Sequence, residues 1–302
     1  MSNPFFEVWK KLFFSPYFFT IAIRKKQEQN LLENPSFYAD FIMSATKHRW
    51  YADPILVEND GKTFLFYEAV NNDHGRIEVA EILKNGTLGR PFVILEDDCH
   101  YSYPFVFRRD DCWYMIPESS ASSQVRLYRA VDFPYKWEMV TVLLCQKSVD
   151  TTVFEKDGQL YLHTYLLSAG SERVTPQAYK LALGEKNEVT LIEWVNYEEL
   201  KCRGAGPVFR VGDKTIRPAQ SSEEDRYGNS VLLYEIQNCD QCYTEILVGE
   251  LTPERVTAKN IWFDGLHTYA VSENYEAIDI RCRAFDLFKT PRILWKRLCK
   301  LK

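Results

Sequence analysis

No run in the 302 residues approaches the roughly 18 consecutive apolar positions that a membrane-spanning helix requires. The N-terminus also has no cleavable apolar core followed by small residues, so no secretory signal is read there. A surplus of positive charge is missing too: 37 Lys and Arg against 42 Asp and Glu leave a formal net charge of −5, which excludes the basic footprint of a nucleic-acid binder. The eight cysteines show no framework spacing. Their one C-x-x-C pair, Cys239 and Cys242, has neither a second pair to complete a zinc site nor a βαβ context, and reads as a loop pair in a reducing compartment. Together these absences predict a cytoplasmic protein. What the chain does have is core material: 46% hydrophobic and 15% aromatic residues exclude disorder, and no long linker divides the chain.

The organising stretch is WYADPILVENDGKTFLFYE at 50–68, two extended runs broken at Asn59-Asp60-Gly61, which is a β-hairpin. Pro54 needs a place without a ladder donor, which predicts the first position of a strand with Asp53 at its entry. The unit returns ungapped at 103–119 with an offset of 50, matching Pro104 to Pro54 and Glu118 to Glu68, and at 150–165 with an offset of 97, matching Asp150 to Asp53. A shifted copy lies at 202–220, and a weaker one at 267–280 brings His267 near the Asp53 position. Five such hairpins at this interval, with RIEVAEIL, RLYRAV and VLLYEIQ as further strands, predict an all-β, five-bladed propeller over 31–285. The Trp-Asp and kelch Gly-Gly blade signatures are absent. Equivalent strand-entry residues then form a ring at one mouth: Asp53, Tyr103, Asp150, Arg203 or Gly206, and His267.

The flanks read differently. Residues 1–30 are aromatic and basic, and Phe5, Trp9, Leu12 and Phe13 fall at helical spacing, which predicts an interfacial amphipathic helix or one packed on the propeller's flank. FYADFIMS at 37–44 reads as a strand that closes the ring on the last blade. The tail 286–302 carries Lys289, Arg292, Lys296, Arg297, Lys300 and Lys302 with no acid after Asp286, as expected of an anchor to anionic lipid or a partner-binding helix. The two termini together predict a peripheral protein at the inner face of the membrane.

At the mouth, Trp50, Tyr51 and Tyr101 offer aromatic faces for sugar rings, or else pack between blades. Asp53, Asp150 and Glu118 are the candidate catalytic carboxyls, because chemistry at an anomeric carbon uses one carboxyl to protonate the leaving oxygen and another to attack or to activate the acceptor. Burial beside a like charge would raise the acid of the set. Arg203, Arg217 and Gln220 are candidate contacts for hydroxyls, phosphate or carboxylate, and Tyr103, His267 and His100, the last on the approach to the second blade, are further candidate substrate contacts at the mouth. The bland alternatives are turn-capping aspartates, a Glu68 paired to a basic neighbour, and a His267 that simply fills the channel.

WYADP…NDGKTFLFYE, HYSYPFVF…WYMIPESS, RLYRAVDFPYKW, VDTTVF…DGQLYL and RPAQSS resemble the N-terminal domain of plant glucosamine inositolphosphorylceramide transferases and its stand-alone bacterial relatives, over about residues 48–280. That domain is similar to the five-bladed propellers of glycoside hydrolase families 43 and 32. The resemblance implies that Asp53 matches the base of family 43, that Tyr103 stands where the pKa-modulating acid is expected, and that Asp150 stands where a glutamic acid is expected. It implies no cofactor, apart from an axial calcium near His267. The function expected is glycosyl transfer or glycoside hydrolysis on a lipid-linked or cell-surface glycan precursor. The alternative is a non-catalytic glycan-binding or scaffold propeller that serves a partner glycosyltransferase.

Overall fold

The computed structural model describes residues 12–14, 17–167, 174–184, 187–194, 203–223 and 226–285. Among these, five four-stranded antiparallel blades form the predicted propeller, the third and fourth joined edge to edge into one eight-stranded sheet by a parallel pairing of Glu193 with Cys242 and Trp194 with Tyr243. Blade one is Arg49–Asn59, Lys62–Asn71, His74–Ile82 and Phe92–Leu95. Blade two is Ser102–Arg109, Cys112–Glu118, Val125–Asp132 and Lys136–Leu144, and blade three is Ser148–Lys156, Gln159–Leu167, Val174–Ala182 and Glu188–Trp194. Phe209–Val211, Lys214–Glu223, Arg226–Asn238 and Cys242–Leu251 make blade four. The inner hairpins of the first three blades turn through paired left-handed residues, Asp60-Gly61, Asp110-Asp111 and Asp157-Gly158, whose twist suits the flanking strands. Asp and Gly occupy these positions because they tolerate positive φ at least cost.

Blade five is completed from the other end of the chain. Phe263–Val271 and Tyr275–Cys282 are joined by Phe18–Lys25, in register from Phe18 opposite Cys282 to Lys25 opposite Tyr275, and then by Phe41–Ile42. The ring is thereby closed without an open edge between its ends. A buried ion pair fastens the closure: Arg24 Nε donates to Glu276 at 2.6 Å, both side chains 3% exposed, while its guanidinium lies 4.4 Å from the centre of the Phe37 ring.

Three expectations are corrected. The segment Phe18–Lys25 is a strand, not part of an amphipathic helix, because a short apolar run buried on both faces carries no periodicity that separates strand from helix. Closure therefore falls first to this strand, with the predicted 37–44 segment adding only the outer strand Phe41–Ile42. Pro54 sits inside the strand Arg49–Asn59, where the ladder breaks between Ala52 and Ile55, so its missing N–H is absorbed by a bulge and not by a strand start. Phe5, Trp9 and the tail 286–302 lie outside the described residues.

Candidate active site

The inner strands of blades one, two and three break register at the same place: between Ala52 and Ile55, Ser102 and Phe105, and Val149 and Thr152. In each break the first unpaired residue is left-handed: Asp53 (φ 53°), Tyr103 (φ 41°) and Asp150 (φ 49°). Such a conformation costs a non-glycine residue on the order of 1–3 kcal/mol, so it persists only where surrounding bonds fix it. Those bonds run around the ring. The Asp53 N–H donates to Asp279 Oδ2 of blade five at 2.9 Å, the Tyr103 N–H to Asp53 Oδ2 at 3.0 Å, and the Asp150 N–H to Glu118 Oε2 at 3.2 Å. Each bulge thus hands its freed donor to a carboxylate of the blade before it.

Blade four breaks the pattern. Its left-handed residue is Gly206 (φ 123°), where a Cβ would run into the Tyr269 carbonyl. The Gly206 N–H reaches past blade three and donates at 2.9 Å to the hydroxyl of Tyr103, which also lies 2.9 Å from Thr152 Oγ1. Tyr103 is fully buried and ties blades two, three and four together across the axis. Sequence reasoning placed it among the substrate contacts; its hydroxyl is committed to the protein, and burial pushes its ionisation well above the usual range.

Asp53 and Asp150 are 4% and 1% exposed. Asp53 Oδ1 accepts from Thr268 Oγ1 at 3.2 Å and lies 3.3 Å from His267 Nδ1. Burial raises the Asp53 carboxyl well above the ordinary carboxylate range, with His267 pulling the other way. Asp150 receives the Arg203 guanidinium on both oxygens and, at 3.4 Å, the Gln220 amide, which also donates to the Gly204 carbonyl at 2.6 Å. Glu118, whose carboxylate lies against the Asp150 backbone, is pushed up to about 7 by burial and by the Asp150 charge, against the pull of Arg203. A carboxyl that holds its proton near neutrality is what a general acid requires. Glu68, one repeat before Glu118, pairs with His100 Nε2 at 2.8 Å; the Gly75 N–H donated into Nδ1 places the ring hydrogen on Nε2.

The other sequence candidates fall on and off this ring. Trp50 is half-buried, with its ring 6.1 Å from that of Phe19, which lies 5.0 Å from His267 at the mouth. Tyr51, the next residue along the strand, points to the opposite face and packs edge-on against Tyr67 between blades. Tyr101 is buried and donates to Asp97 at 2.7 Å. Arg217 is 2% exposed, held by Glu245 through two bonds and donating to the Tyr165 hydroxyl at 2.9 Å, which makes it an internal strut of blade four.

His267 sits where the repeat placed it, and its role depends on a residue the sequence reading missed. Burial alone would lower its pKa, but Asp279 at 2.9 Å and Asp53 push it up to about 9. Asp279 is visible in the sequence as an acid between two isoleucines of an apolar strand, YEAIDIRC, where only a committed set of donors makes its burial tolerable. The expected calcium does not fit these residues. Asp53, His267 and Asp279 bring ligand atoms within 4.8 Å of one another, but the Asp279 oxygens already accept four bonds, from the N–H groups of Asp53, His267 and Thr268 and from the His267 ring. A carboxylate so satisfied has no lone pair left for a cation that wants six to eight oxygens.

Residues 32–274 match the model of a family described as glucosamine inositolphosphorylceramide transferase 1, N-terminal. The chain is 30% identical over 227 residues to glucosamine inositolphosphorylceramide transferase 1 of Oryza sativa subsp. japonica, an alignment covering 70% of this chain and 29% of that protein. With the protein of the same name from Arabidopsis thaliana it shares 34% over 212 residues, covering 68% and 26%. It therefore spans less than a third of the curated relatives it matches. Among solved structures, the Bombyx mori GH32 β-fructofuranosidase superposes with a TM-score of 0.54 at 16% identity, over 70% of this chain and 53% of that one. The α-L-arabinofuranosidase from Lactobacillus brevis gives 0.52 at 14%, over 73% and 78%. At these identities the likeness is one of fold.

Proposed function

The chain belongs to the glucosamine inositolphosphorylceramide transferase 1 N-terminal family, and from that premise we propose that it is a carbohydrate-active protein that performs glycosyl transfer or glycoside hydrolysis at the propeller mouth. The observation that carries the reading is the convergence of Asp53, Glu118 and Asp150, from three successive blades, on one ring held by left-handed bulges. In this reading Glu118 is the proton donor to the leaving oxygen. Arg203 keeps the Asp150 carboxylate fixed beside it, and Asp53 serves as base or nucleophile in the ionised form that the charge of His267 favours against burial. Trp50 supplies an apolar face for a sugar ring, and His100, whose two ring nitrogens are held by Gly75 and Glu68, adds a partly exposed ring at the rim. The relatives are named for a sugar transferred to an inositolphosphorylceramide, which supports a lipid-linked glycan as the substrate class.

One observation favours a second reading, a glycan-binding or scaffold propeller that serves a partner glycosyltransferase. Asp53 and Asp150 are nearly inaccessible and their oxygens take donors from the protein itself. Calorimetric titration with inositol-phosphoglycan headgroups, paired with mass spectrometry of the same mixtures, separates the two. Binding with a sugar released or transferred supports the enzyme, binding without any product supports the module, and the absence of both removes the carbohydrate reading.

A further inference from the structure

The mouth of the propeller has an uneven rim. On blade five, Phe263 pairs with Cys282 and Phe18 pairs with the same residue, so Trp262, the chain before Phe18 and the chain after Cys282 all emerge at the mouth end, opposite the hairpin turns. Phe14 and Phe285 then form an antiparallel bridge. Their rings lie 5.6 Å apart, and Phe14 is also 5.5 Å from Trp262. This brings two segments that are distant in sequence to one point of the rim. The apolar surface there is exposed: Leu12 by 38%, Tyr17 by 45%, Trp262 by 40% and Phe285 by 56%. The aromatic contact continues inward from Tyr17 to Phe19 at 5.8 Å, and from Phe19 to His267 of the ring.

We propose that this blade-five rim is a membrane-docking face, which seats on an anionic lipid surface and turns the mouth toward the bilayer. Aromatic residues with apolar bodies at a rim suit the headgroup boundary, where tryptophan and tyrosine concentrate. The sequence flanking them is rich in basic residues. Lys10 and Lys11 precede the rim, and Lys289, Arg292, Lys296, Arg297, Lys300 and Lys302 follow it with no acid after Asp286, on a chain whose net charge is −5. Basic residues in the sequence on either side of an exposed aromatic patch are complementary to an anionic leaflet, and such binding weakens with salt. Docking stands apart from the carbohydrate reading. Only its consequence, that the mouth meets a glycan borne on a lipid headgroup, rests on that reading.

The test uses the full chain with vesicles of phosphatidylcholine alone or with about 30 mol % phosphatidylserine. The protein should sediment with the anionic vesicles only, and less so as salt rises. The double variant Trp262→Ser/Phe285→Ser, checked for an unchanged melting temperature, should bind about tenfold or more weakly, and deletion of residues 290–302 should release the protein. Hydrogen exchange on bound vesicles should slow at residues 17–19, 262–266 and 282–285, and not at the turns 60–61, 110–111 and 157–158. Failure to bind anionic vesicles, binding indifferent to the double variant, or protection at the turn end would each overturn the proposal. Headgroup-glycan binding measured without vesicles reads the mouth separately, so a lost docking face and a lost sugar site give different results.

Discussion

Blades one to three and blade four face the same geometric demand at the ring and meet it with different residues. Blade four uses Gly206, for which a left-handed backbone is cheap, and its charged pair, Arg217 with Glu245, is turned inward at 2% exposure on each side. Blades one to three hold Asp53, Tyr103 and Asp150 in a conformation that glycine would adopt more readily, and two of the three carry a carboxyl at the ring. Arg203, the counterpart of Arg217 as a carboxylate partner, is 26% exposed. Side chains are thus retained at a conformational cost on one half of the ring and dispensed with on the other. Strain of this kind collects where side-chain chemistry is needed, which supports the proposal that the first three blades carry the reactive groups while blade four serves as scaffold.

The largest effect belongs to the scaffold half: Arg217→Leu leaves Glu245 buried without its partner and should lower stability by about 3–5 kcal/mol in urea denaturation, while Arg217→Met with Glu245→Leu recovers most of the loss. Gly206→Ala follows, at about 2–4 kcal/mol, because it adds a Cβ against the Tyr269 carbonyl to a conformation that excludes one. If alanine is accepted there without loss, the contrast between the two halves disappears. Tyr103→Phe removes the acceptor of the Gly206 N–H and the partner of Thr152, and should cost about 1–3 kcal/mol.

A further effect is in pH dependence. Glu118 is raised from 4.5 to about 7, so the folded state binds its proton more tightly; that stabilisation is present at low pH and is lost as pH rises through this window. His267, raised from 6.5 to about 9, contributes stability that is full below 6.5 and is lost as pH rises through 9. Melting temperatures should therefore fall in two steps. Glu118→Gln should flatten the first and leave the second.

The same division governs what could be read in the sequence. The ungapped offsets of 50 and 97 located Asp53, Tyr103 and Asp150 at equivalent strand positions, because the bulge that presents them requires fixed spacing to the hairpin turn. Blade four needed a shift because its inner strand is short, and blade five was faint because its sheet is assembled from both ends of the chain. The closing strand Phe18–Lys25 was hidden by burial on both faces, which erases the alternation that betrays a strand. Within the site, a repeat position says where a residue stands but not where its side chain is spent. Tyr103 and Arg217 were legible as ring and blade residues, yet their commitment to Gly206, Thr152, Glu245 and Tyr165 comes from neighbouring blades. Asp279 pairs with Asp53 across 226 residues of chain, a separation over which no local pattern carries.

The central claim is that the first three blades form a reactive site with Glu118 as the proton donor. The most direct measurement is the pH–rate profile of sugar release or transfer from an inositol-phosphoglycan substrate, in the wild-type protein and in Glu118→Gln, with binding of the same glycan followed in parallel. The wild type should lose rate as pH rises through about 7. Glu118→Gln should bind equally well, turn over about 10² to 10⁴ times more slowly and lose that limb. Equal turnover in the two proteins, with the same dependence on pH, would contradict the account.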